Sequence, residues 1–87
     1  MGQLDKLVEQ FLKEPPEVLF KDVAKVLEAF GYKERPSGGG GHRAFIKSGY
    51  RPKIVPTVKG RRVKRAYVRM IIDNLELEDW YEKRHEA

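Results

Sequence analysis

The 87-residue chain has no cysteine, which excludes disulfide bridges and thiolate metal ligands. No apolar run approaches the roughly 20 residues that a membrane-spanning helix needs, so no membrane partner is expected. The N-terminus shows no signal-peptide pattern, and the expected compartment is the cytoplasm. Histidine is scarce. His42 and His85 stand 43 positions apart with no cysteine between them, a spacing that gives no zinc site, and no cofactor is expected. Four consecutive glycines, Gly38 to Gly41, lack the Gly-Lys-Ser/Thr ending of a phosphate loop and precede a strand rather than a helix. ATP and NAD are therefore poor candidates.

Acid is missing from one part of the chain. Between Lys33 and Arg69 there are twelve Lys or Arg residues and one acid, Glu34, a net of +11. The total is +5, so the flanks together carry −6. A basic centre between acidic ends points to a polyanion partner, although surface cations also serve solubility alone. A chain of this length buries only about 60% of its unfolded surface, which predicts one domain over residues 1–87 with a small core.

Residues 4–12 place Leu4, Leu7, Val8, Phe11 and Leu12 at helical spacing, and Pro15 and Pro16 end that helix. A second helix puts Phe20, Val23, Val26, Leu27 and Phe30 on its buried face, with Gly31 at the left-handed C-terminal position. Short extended pieces follow at 32–35, 42–47 and 53–57, linked closely enough for an antiparallel meander. Residues 48–52 form the second link, a turn, and residues 58–62 a basic connection. Val68, Ile71, Ile72 and Leu75 then repeat at i, i+3, i+4 and i+7, predicting a helix over 64–75 and a short acidic one over about 78–84. The expected class is α+β, with order α-α-β-β-β-α-α. A three-stranded antiparallel sheet carries helices on one face, with an extra N-terminal and a short C-terminal helix.

The chemistry concentrates where the glycines meet His42. A glycine run lets a ligand approach bare backbone N–H groups, and imidazole takes or gives a proton near neutrality. Histidine can deprotonate a ribose 2′-hydroxyl or protonate a departing 5′-oxygen. Arg43, Lys59, Arg61 and the N–H groups of Gly40 and Gly41 are the expected phosphate holders. Arg62 and Lys64 belong to the same dense cationic cluster, which also includes Arg65. Cations at a helix N-terminus oppose the macrodipole by about 0.3–1 kcal/mol each, a local cost consistent with a polyanion partner. Each of these residues also has a bland reading: His42 as a satisfied strand residue, the cations as a solvated run. Tyr50, in the second turn, can stack on a base or cover an apolar edge. Trp80 can be core or a partner surface.

In this order the pieces resemble the HicA-type toxins of type II toxin–antitoxin systems. Gly41-His42-Arg43-Ala44-Phe45 resembles the family's Gly-Ser-His-x-x-Phe/Tyr signature, and Val55-Pro56-Thr57-Val58-Lys59-Gly60 its Val-Pro-x-His-x-Gly strand end. The opening helices through Gly31-Tyr32, and Val63, Val68, Ile71 and Ile72, also fall into its pattern. The resemblance implies a single HicA-like domain, core about 20–75, with a double-stranded-RNA-binding-like fold. It implies a metal-independent endoribonuclease (mRNA interferase) acting on mRNA, with His42 catalytic, and a HicB-type antitoxin that covers the site.

Two positions depart from that pattern. The serine before the histidine is Gly41 here, and the second histidine is Val58. Each change removes a hydrogen-bonding or proton-transfer group. The alternatives are a non-catalytic RNA-binding module of the same fold and a protein-interaction domain whose basic face meets an acidic partner.

Overall fold

The apolar stripes and their stop signals account for most of the architecture. The computed structural model describes residues 2–35 and 42–85, the side chain of His42 excepted. Helix α1 (Gln3–Leu12) buries Val8 and Phe11 completely. It stops at Pro15 and Pro16, with Glu14 just before them in the left-handed region at φ +51°. Helix α2 (Phe20–Ala29) buries Val23, Val26 and Leu27. Gly31 at φ +95° closes it: Gly31 N donates to Glu28 O and Tyr32 N to Leu27 O, both at 3.0 Å, the paired bonds of a Schellman cap.

Strand β1 (Glu17–Leu19) precedes α2. Strands β2 (Lys33–Arg35), β3 (His42–Ile46) and β4 (Lys53–Pro56) then form an antiparallel sheet in that order. Phe45 and Val55 are fully buried on the face toward the core, while Ile46 and Ile54 on the other face are 41% and 48% exposed. The helices thus cover one side only. Pro56 ends β4, an edge strand, the place in a sheet where a residue without an N–H is tolerated.

Strand β5 (Arg62–Lys64) leads directly into helix α3 (Arg65–Leu75), which buries Val68, Ile71 and Ile72. Glu76 at φ +51° breaks the chain from α3 to helix α4 (Leu77–Arg84), whose Leu77 is fully buried. Trp80 is half-buried, its ring 5.6 Å from that of Phe30, with the Arg84 guanidinium on it. No described helix is long and apolar enough to cross a membrane.

One element differs from the sequence expectation. Residues 17–19 and 62–64 pair as a separate antiparallel ribbon, Val18 opposite Val63. The expected basic connection and the first residue of the expected third helix are therefore partly strand. Phe20 N donating to Arg61 O at 2.7 Å and Arg65 N to Pro16 O at 3.0 Å extend the ribbon at both ends.

Candidate nucleic-acid interface

His42 opens β3 and pairs with Pro56 across the ladder. Gly40 and Gly41, and the glycine loop as a whole, lie outside the described residues, as does the His42 side chain. Arg43 follows at once, and its guanidinium has two partners. It sits 4.7 Å above the Phe20 ring and donates to the Glu34 carboxylate on the neighbouring strand. Both members of that pair are partly exposed, where an ion pair contributes about 0–1 kcal/mol. A phosphate arriving at Arg43 therefore competes with a weak partner.

Phe20 is the hinge between this end of the sheet and the ribbon. Its ring lies 5.9 Å from that of Phe45, and it lines an open hollow with Leu19, Lys21, Gly60 and Arg61. The turn that supplies Gly60 is unusually tight. Lys59 and Gly60 hold φ +53° and +69°, Arg61 N donates to Val58 O at 3.1 Å, and Val58 N donates to Arg62 O at 2.7 Å. Two left-handed residues at the centre of such a turn make it type I′. Glycine accepts this without cost, whereas a lysine there is strained by about 1–2 kcal/mol.

The hollows adjoin. The second is lined by Glu17, Leu19, Val58, Lys59, Arg61 and Arg62, and the third by Pro16, Glu17, Lys64, Arg65 and Ala66. Leu19 and Arg61 belong to the first and second, Glu17 to the second and third. Together they form one shallow band along the β1–β5 ribbon. Its cations are Lys21, Lys59, Arg61, Arg62, Lys64 and Arg65, all exposed. Glu17 is the one acid lining the three hollows, 3.7 Å from Arg62. Buried Val63 sends its neighbours Arg62 and Lys64 to the opposite, solvent side of the strand. Arg65 Nε is anchored on Glu14 O at 2.9 Å, while Lys21, Lys59, Arg61 and Lys64 make no ion pair among the described residues.

Of the residues expected from sequence, Lys59, Arg61 and Arg62 converge on one hollow, and Lys64 lies next along the band. Arg43 stands apart, joined to it through Phe20. Lys21 and Phe20 were not foreseen. Their place in the band depends on a ribbon between segments over forty positions apart, for which no local pattern exists. Guanidinium forks and ammonium groups in such a row can hold successive phosphates along a polyanion backbone. Among the described residues no group of three or more His, Asp or Glu side chains is placed to hold a metal ion. No family model, curated protein or solved structure matches the chain.

Proposed function

We propose that the chain is an RNA-binding endoribonuclease of the HicA toxin type, built on a double-stranded-RNA-binding-like arrangement of its sheet and helices. The observation that carries the RNA part is the band of six exposed cations interrupted by one acid. Its Phe20 end adjoins Arg43, the residue after His42. RNA held along the ribbon would bring a ribose near the start of β3.

The chemistry fits a histidine without a metal. His42 as general base takes the proton of a ribose 2′-hydroxyl. The 2′-oxygen then attacks phosphorus, the P–O5′ bond breaks, and the departing 5′-oxygen takes a proton from water or a nearby ammonium. Lys59, Arg61 and the backbone N–H groups of Gly40 and Gly41 would hold the charge that develops on the phosphate. The product ends are a 2′,3′-cyclic phosphate and a free 5′-hydroxyl. A protein of this kind acts on cytoplasmic mRNA and needs a silencing partner, a HicB-type antitoxin covering the same face.

The test is digestion of mRNA by the purified protein in the presence of a chelator. The parent yields fragments; His42→Ala keeps the fold and RNA retention but loses cleavage by at least a hundredfold. Equal activity in the variant removes His42 from the mechanism. One observation favours a second reading, a non-catalytic RNA-binding module: Arg43 is engaged by Glu34 and Phe20 rather than free beside His42. Parent protein that retards RNA without cutting it establishes that reading instead.

A further inference from the structure

Tyr50 is 61% exposed at the tip of the β3–β4 hairpin, the most exposed large apolar side chain described. It is nonetheless fixed. Tyr50 N donates to Lys47 O at 3.0 Å, and Gly49 holds φ +84° at the third position, the arrangement of a type II turn. The Lys47 ammonium lies 4.5 Å from the Tyr50 ring centroid and is itself held by Phe30 O at 2.8 Å. Behind it the buried Tyr32 ring lies 6.3 Å away at a tilt of 59°. An aromatic ring buttressed by a cation and a second ring loses little freedom when something stacks on it.

The surroundings favour one kind of stacking partner. Arg51 follows in the chain, exposed and without an ion pair among the described residues, and Lys53 places its ammonium 5.8 Å from the Tyr32 ring. The tip therefore combines an open π face with three cations and no acid. That is the composition of a platform for a base with its phosphate beside it. Its place in the fold also matters. The β3–β4 ladder runs from His42 opposite Pro56 to Phe45 opposite Lys53, so the tip lies roughly 15–20 Å from the strand end that holds His42. A strand crossing both contacts would span several nucleotides.

We propose that Tyr50 stacks on an unpaired base of the RNA, making single-stranded or looped RNA the preferred substrate over perfect duplex. The proposal rests on the RNA reading above and narrows it to a substrate class. Stacking needs a base free of its neighbours, whereas the cationic band engages phosphates in either form.

The experiment uses the full chain and 2′-O-methyl oligonucleotides, which lack the hydroxyl that cleavage requires. Fluorescence anisotropy compares a labelled single strand with the corresponding duplex for the parent, Tyr50→Ala, Tyr50→Phe and Arg61→Glu. Tyr50→Ala is expected to weaken single-strand binding roughly 5- to 150-fold, the usual alanine penalty for a base–aromatic stack. Tyr50→Phe restores it, duplex binding changes less than twofold, and the salt slope stays the same because no charge is lost. Thermal melts confirm that the exposed position leaves folding intact. Single-strand affinity unaffected by Tyr50→Ala, in a parent that binds and is weakened by Arg61→Glu, overturns the stacking proposal alone. A parent that binds neither oligonucleotide overturns the RNA reading and this proposal together.

Discussion

At the scale of single residues, the most constrained polar group is Asp5. It is 5% exposed on α1 and accepts hydrogen bonds from Arg84 of α4 at 2.8 and 3.5 Å, so it ties the two ends of the chain together. The Arg84 hydrogen bond holds the Asp5 carboxyl below its ordinary value of 3.8, against an opposing push from burial. A carboxyl depressed on folding contributes stability that is complete above its unfolded pKa and is lost as pH falls through the folded one. Parent and Asp5→Asn should therefore differ in melting temperature at pH 7, with the parent higher, and converge as the buffer is taken below about 3.8 toward strong acid. A difference that persists undiminished at pH 2 would mean that Asp5 acts by shape rather than by charge. On the same seam Tyr81 donates to Glu9 at 2.9 Å, a bond that raises the phenol's pKa.

At the scale of elements, the turn over residues 58–61 sets stability against the RNA binding proposed for Lys59. Glycine in place of Lys59 would relieve about 1–2 kcal/mol of left-handed strain while loosening the unfolded chain by about 0.4–1 kcal/mol. Lys59→Gly is thus expected to raise the melting temperature by a few degrees and to weaken RNA binding, measured by calorimetry and anisotropy. A lower melting temperature would show that the Lys59 side chain holds the turn together. Helices α1, α2, α3 and α4 were legible in the sequence because each repeats its apolar residues at helical spacing, with stops at Pro15 and Gly31. The β1–β5 ribbon was not. Three residues with one buried valine carry no period, and their pairing appears only when residues 17–19 and 62–64 meet in space. The site divides the same way: the cations of 59–65 could be read directly, but Lys21 and Phe20 joined them only through the ribbon. His42 was singled out by its glycine neighbours, and the structure describes only its backbone, paired with Pro56.

At the scale of the whole molecule, the net of +11 between Lys33 and Arg69 overstates the charge available to a ligand. Arg43 is held by Glu34, and Arg69 by Glu14 and Asp73 at 3.0 and 3.5 Å. The band retains six cations and one acid, and counterion release converts that number into a measurable slope. Each phosphate neutralised on a single strand contributes about −0.7 to the dependence of log K on log salt, so full engagement predicts a slope of about −4. Removing Arg61 as Arg61→Ala should lower its magnitude by about 0.7, with weaker binding at every salt concentration. Removing Arg69 as Arg69→Ala should leave it unchanged, although the two arginines are equivalent in the sequence count. Anisotropy titrations across a range of salt concentrations, with the same single strand throughout, make the comparison. Equal losses of slope at both positions would mean that RNA is drawn to the net charge of the molecule and not to the face along the ribbon, because only a bound register distinguishes an arginine in the band from one already paired on α3.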